Sequence, residues 1–175
     1  MTTFYLMRHG EPDWALKDAR GLTGPIRDYV PLTADGIAQA ERAAEDPRLK
    51  RCELILSSPY TRALQTAAVV NRTLGLPLIV EFDLHEWTPD SYKAESYEEI
   101  KRLNDDYHKH GGVHPPGESR LWETKASVLG RVMNVLRRYS DRSHVLVVCH
   151  GMIIAPLQEY GPGQVPLCSV HEFVV

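Results

Sequence analysis

Five side chains stand where they could handle a phosphate ester. Arg8 and His9 are adjacent at the end of the apolar run Thr3 to Met7, Arg62 follows the run Cys52 to Leu56, and His150 follows the run His144 to Val148. An always-charged guanidinium beside an imidazole that titrates near neutrality suits an anionic, phosphorylated substrate. A neutral His9 could attack phosphorus through a ring nitrogen, forming a phosphohistidine and dividing a slow hydrolysis into two easier displacements. Arg8, Arg62 and a protonated His150 would hold the nonbridging oxygens as charge spreads over them. With that charge supplied by side chains, neither a metal nor another cofactor is expected. An alkoxide leaving group still needs a proton, and Glu86, a carboxyl beside Trp87 after the third apolar run, is the best donor candidate.

Stepping outward, these groups need strands to carry them to one edge. Thr3 to Met7 reads as a buried strand, closed by Gly10 and Pro12, and the Gly- and Pro-bearing segment from Asp13 to Leu32 reads as loop able to fold over a site. Thr33 begins a helix with Ile37, Ala40 and Ala44 on one face, ended by Pro47. After the strand Cys52 to Leu56, Ser58 is expected to cap a helix with Pro59 at its first position and Ala63, Ala67, Val70 and Leu74 inward, stopped by Gly75. Arg62 then falls near a helix start, where unpaired amides already favour anions.

Leu78 to Phe82 is the third strand, and Ser96 with Glu99 forms a capping box for a helix through Tyr107. HGGVHPPGE, residues 110–118, is irregular, and Ser119 is expected to cap a helix bearing Leu121, Val128, Val132, Val135 and Tyr139. The strand His144 to Val148, a short helix from Met152 shaped by Pro156, and a last strand over Ser169 to Val174 complete the chain. Alternating strands and helices predict a three-layer α/β/α sandwich with a mostly parallel sheet. Its site lies at the carboxyl ends of the strands, under a small cap drawn from roughly residues 86–118.

The 175 residues make one domain, with 43% hydrophobic and 25% charged residues and a formal net charge of -3. That balance gives no electrostatic case for nucleic acid or an anionic membrane. No leader pattern or long apolar stretch is present in the sequence, and three cysteines without metal-ligand spacing fit reduced thiols, so a cytoplasmic protein is expected.

Each assignment has a plainer rival. An Arg-His pair can be a solvated strand end, but the joint placement of His9, Arg62 and His150 argues against it. Glu86 can be a surface carboxylate, and His85 reads as structural or exposed. His108, His110 and His114 cross a Gly/Pro loop without an acidic partner and read as loop histidines rather than metal ligands. Glu118 and Ser119 could be a site pair, although a helix cap explains both nearly as well. Cys149 lacks the arginine six residues later that a thiol phosphatase needs, Ala155 standing there instead, so it reads as a small buried hydrophobe.

At these residues the chain resembles the histidine phosphatase superfamily, also called phosphoglycerate mutase-like. The likeness runs through Leu6-Met7-Arg8-His9-Gly10-Glu11, Leu32-Thr33-Ala34-Asp35-Gly36 with Gln39-Ala40, and Ser57-Ser58-Pro59 with Arg62-Ala63 and Gln65-Thr66. It continues in Leu84 with Glu86, Gly117-Glu118-Ser119 and Val147-Val148-Cys149-His150-Gly151. The resemblance implies His9 as the phosphorylated nucleophile, Arg8, Arg62 and His150 as the phosphate pocket, and Glu86 as proton donor. It departs at Ala15, where members often carry a phosphate-binding asparagine, and at Glu86-Trp87-Thr88-Pro89-Asp90, where glycines are usual. The arginine-rich insertion of the mutases has no counterpart between Trp87 and Glu118. The expectation is therefore a phosphatase acting on a phosphorylated small molecule, with a phosphopeptide as second option. Mutase-type phosphoryl transfer and a catalytically silent phospho-ligand binding domain are the alternatives.

Overall fold

Burial on both faces of three central strands sets the architecture. In the computed structural model, which describes residues 1–161 and 163–175, five strands form one sheet in the order β3-β2-β4-β1-β5. They are β1 (Thr3–Arg8), β2 (Leu54–Ser57), β3 (Leu78–Val80), β4 (His144–Cys149) and β5 (Val170–Val174). The pairs β1·β4, β2·β4 and β2·β3 are parallel, and only β5 runs antiparallel, against β1. The α/β sandwich with a mostly parallel sheet is thus as expected.

Successive residues of a strand face opposite sides, so each strand feeds two cores. Phe4, Leu6, Leu56, Val145 and Val147 pack with Val128, Val132 and Leu136 of α5 (Lys125–Arg138) and Ile153 of α6 (Gly151–Leu157). Tyr5, Met7, Ile55, Leu146 and Val148 pack with Ala40 of α2 (Ala34–Ala43) and Ala63, Ala67 and Val70 of α3 (Thr61–Leu74). Alanines on α2 and α3 let those helices approach closely. Tyr107 of α4 (Tyr97–Lys109) joins the first core through Trp87 and Trp122, at ring centroid distances of 4.7 and 5.4 Å.

Local signals fixed several boundaries. Thr33 accepts the Gly36 amide at 2.9 Å, Ser96 accepts the Glu99 amide at 3.2 Å, and Gly75 ends α3 with φ +62°. Gly36 serves a second purpose, since a Cβ there would stand 2.4 Å from the Glu11 carbonyl oxygen. Only glycine lets α2 approach the backbone that follows β1.

Four expectations are corrected. Ser58 does not cap α3, which starts three residues later behind Tyr60; its hydroxyl pairs with His150 at 2.7 Å and accepts only the Tyr60 amide, at 3.2 Å, ahead of the helix. Ser119 is exposed and α5 begins only at Lys125, where Thr124 accepts the Ser127 amide at 3.1 Å. Burial of Trp122, whose indole donates to Asp106 at 2.8 Å, holds the intervening chain out of the helix. The third strand, expected to reach Phe82, stops at Val80, and Phe82–Leu84 forms a 3-10 turn. Finally, the segment between Asp13 and Leu32 holds α1 (Trp14–Ala19), capped by Asp13, and a 3-10 turn over Gly24–Tyr29.

Candidate active site

Strand register gathers the predicted residues. Arg8 pairs with Cys149 and Ser57 with Val148, so the next residues along, His9, His150 and Ser58, stand in a row on three neighbouring parallel strands. The His9 amide donates to the Cys149 carbonyl at 3.1 Å and the Ser58 amide to Val148 at 3.0 Å. As a result the His9 and His150 rings lie 5.2 Å apart, and both are buried.

Hydrogen bonding assigns the His9 tautomer. Nδ1 lies 2.7 Å from the Gly10 carbonyl, which can only accept, so Nδ1 carries the proton and Nε2 keeps its lone pair. Arg62 Nε donates to that Nε2 at 3.3 Å. Burial, together with the Arg62 and Arg8 charges, holds His9 down to about 3 against the pull of the Gly10 carbonyl, and His150 is lowered well below its ordinary value by burial and Arg62. Both imidazoles are therefore neutral around pH 7, the form a nitrogen nucleophile requires, so the protonated His150 expected from the sequence is corrected to a neutral ring that can offer only one N–H.

Arg62, at the second position of α3, donates through Nη1 to Asp28 at 2.9 Å and lies against the Trp14 and Tyr60 rings at 5.4 and 5.1 Å. Arg8 donates to the Val165 carbonyl at 2.6 Å, while its Nε is buried without a protein partner among the described residues. His150 Nε2 pairs with Ser58 Oγ at 2.7 Å, and its Nδ1 likewise lacks a partner among the described residues. Unpaired buried polar atoms are costly unless a ligand completes them, and those on Arg8 and His150 suit an anion. Around this centre, residues of the resembling motifs act as struts. Thr66 accepts the Gly10 amide at 3.0 Å, Gln39 the Glu11 amide at 2.9 Å and Gln65 the Leu32 amide at 2.7 Å.

Glu86 is half-buried beside the same groups. Burial raises its carboxyl above the usual range, opposed by the amides of Trp87 and Met152 and the charges of Arg62 and Arg8. Arg131 of α5 fixes the loop that carries it, donating to the carbonyls of Asp83 at 2.5 Å and His85 at 2.8 Å while Glu123 holds its Nε at 2.8 Å. A cavity of about 180 Å³ opens here, lined by Asp28, Tyr60, Glu86, Trp87, Tyr92 and Met152 among others.

Sequence reasoning missed Asp28, Arg27 and Asp90. Arg27 forms a two-pronged pair with the buried Asp90 at 2.7 and 2.8 Å, and Asp28 beside it holds Arg62. Their loops show no periodicity, and Arg27 and Asp90 lie 63 positions apart, so only the Gly/Pro spacing marked the region. Tyr60 and Tyr92, hydroxyl to hydroxyl, were also unforeseen as neighbours.

The remaining candidates lie elsewhere. Glu118 pairs with Arg120 at 2.6 Å, exposed, and Ser119 is exposed too. His114 Nε2 meets the Trp122 carbonyl at 2.9 Å, and His110 sits by Asp106. Among the described residues no group of three or more His, Cys, Asp or Glu could hold a metal ion. Cys149 is buried, which pushes its thiol up and keeps it protonated.

Comparison with known proteins identifies the family. An uncharacterized phosphatase PhoE of Bacillus subtilis is 32% identical over 174 residues, 98% of this chain and 83% of that protein. A 2,3-bisphosphoglycerate-dependent phosphoglycerate mutase of a Methylobacterium species is 33% identical over 162 residues, 83% of this chain and 74% of that one. The structure of Bacillus stearothermophilus YhfR shares the fold, with a TM-score of 0.74 and 24% identity, over 100% of this chain and 92% of the other. The profile of the histidine phosphatase superfamily (branch 1) matches residues 4–166, and the chain belongs to that family.

Proposed function

We propose that this chain is a phosphomonoesterase that works without a metal, through a phosphohistidine on His9. The observation that carries the reading is the His9 imidazole, proton on Nδ1 and lone pair on Nε2, set among Arg62, Arg8 and His150. In the first step the Nε2–phosphorus bond forms as the ester oxygen–phosphorus bond breaks, and Glu86 gives its proton to the departing alkoxide. In the second, water attacks phosphorus, its proton passes to the Glu86 carboxylate, and the phosphorus–nitrogen bond breaks to release inorganic phosphate. Arg8 and Arg62, with His150 donating a hydrogen bond, hold the phosphoryl oxygens throughout.

The substrate class is a phosphorylated small molecule, in keeping with relatives named as a phosphatase and a phosphoglycerate mutase. The cap over the site comprises roughly residues 86–118 together with the 13–30 segment, since Arg27 and Asp28 line the cavity that Glu86 and Tyr92 also line. Mutase-type transfer, the second reading, is favoured by the mutase-named relative. A chelator-treated preparation should release inorganic phosphate from simple monoesters and lose that activity in His9→Ala. Delivery of the phosphoryl group to a second substrate hydroxyl in preference to water would favour the mutase instead.

A further inference from the structure

Resting on the reading of the site as a phosphoester pocket, we infer that its ester is one whose alcohol carries an uncharged aromatic ring, seated in the cleft between α1 and α4. This cleft of about 540 Å³ adjoins the cavity beside Glu86, the two sharing Arg27 and Asp28 in their walls. Its size falls in the range of about 300–1,000 Å³ typical of small-molecule sites.

Its exposed surface is mostly apolar although charged side chains share the lining. Trp14 and Tyr97, 43% and 66% exposed, face it with Ile100, and core packing does not account for such large exposed rings. Trp14 also lies against the guanidinium of Arg62, which places an aromatic surface directly beside a phosphate-binding group. A ligand ring in the cleft would meet the Trp14 and Tyr97 side chains, the latter with Lys17 Nζ 5.9 Å from its ring centroid, while its phosphate stays on Arg62.

The charges speak against a second anion. Two cations line the cleft, Lys17 and Arg27, and two carboxylates, Asp18 and Asp28. Lys17 pairs with Asp18 at 2.9 Å, and Arg27 is held by Asp90, itself buried. The lining charges balance, two against two, so no surplus positive charge is left to receive a carboxylate or a second phosphate.

Non-hydrolysable probes separate this inference from the catalytic reading. Titration calorimetry would compare 2-phenylethylphosphonate, propylphosphonate and 2-carboxyethylphosphonate on the full chain. The phenyl probe should bind about tenfold more tightly than the propyl one, and the carboxyl probe more weakly than propyl. In Trp14→Ala and in Tyr97→Ala the phenyl-to-propyl ratio should fall towards one, and Asp18→Asn should raise carboxyl binding relative to propyl. Equal binding of phenyl and propyl, a preference for the carboxyl probe, binding of none, or a ratio unchanged in both aromatic variants would overturn it. Tight phenyl binding by a chain that hydrolyses nothing would uphold the cleft and refute the phosphatase reading.

Discussion

Removing Asp90 should cost more stability than any other single carboxylate substitution near the site. Its side chain is fully buried and accepts four hydrogen bonds, from Arg27 Nη1 and Nη2 at 2.8 and 2.7 Å and from the amides of Ala94 and Tyr92 at 2.9 and 3.2 Å. Those amides belong to a turn in which Ser91 and Tyr92 both take positive φ, 49° and 59°, a conformation that L residues hold only when surroundings impose it. Asp90→Ala strands the mostly buried Arg27 cation and releases the turn. Breaking such a pair from one side costs about 3–5 kcal/mol. For a chain of this size that is a drop in Tm of roughly 6–20 °C, at about 2–4 °C per kcal/mol.

Urea unfolding followed by tryptophan fluorescence and circular dichroism measures the loss directly. Arg27→Met combined with Asp90→Leu should recover much of it, because an apolar pair leaves no buried charge. Burial raises the Asp90 carboxyl, but Arg27 and the two amides outweigh it and lower the net value. Its contribution is therefore constant above the unfolded value of about 3.9 and lost as pH falls through the lower folded one. A single-variant loss below about 1 kcal/mol, or a double variant as unstable as the sum of its parts, would show that the pair does not brace these two loops.

Three further outcomes follow from the same geometry. Glu86→Gln should slow alkyl phosphates by about 100-fold or more and aryl esters with acidic phenols far less, and equal losses in kcat/KM would remove Glu86 as the acid. Gly36→Ala should destabilise by about 1–3 kcal/mol, since its Cβ meets backbone that cannot yield, and an unchanged melting temperature would contradict that contact. Because His9, held to about 3, stays neutral when folded but takes a proton when unfolded, stability should fall as pH drops from about 6.5 towards 4.5. His9→Asn should flatten that slope in thermal melts by up to about 1.4 kcal/mol per pH unit, and an identical slope would place the titration elsewhere.

Strand ends were the legible part of the site. Each central strand is a short apolar run, and the groups just beyond β1, β2 and β4 meet because those strands are parallel neighbours. Nothing local dictated the order β3-β2-β4-β1-β5 or the reversal of β5, which depend on how the helices pack. Ser58 shows how a local rule yields to tertiary structure. Its type and the following proline suit a helix cap, but at the end of β2 its hydroxyl pairs with His150 while accepting the Tyr60 amide, and the helix starts only at Thr61. Asp28, Arg27 and Asp90 were invisible for a different reason, since an ion pair between two aperiodic loops leaves no pattern in either one. Glu86 was singled out by its place after the third strand, whereas the Arg131 clamp on its loop came from a helix read only for its apolar face.

The most direct test is to trap the phosphoenzyme. Rapid acid-free quenching of the wild-type chain with a ³²P-labelled monoester, followed by peptide mapping, should find the label on His9 as an acid-labile, base-stable adduct. His9→Ala should carry none. Label on another residue, or turnover in His9→Ala at the wild-type rate, would contradict the account.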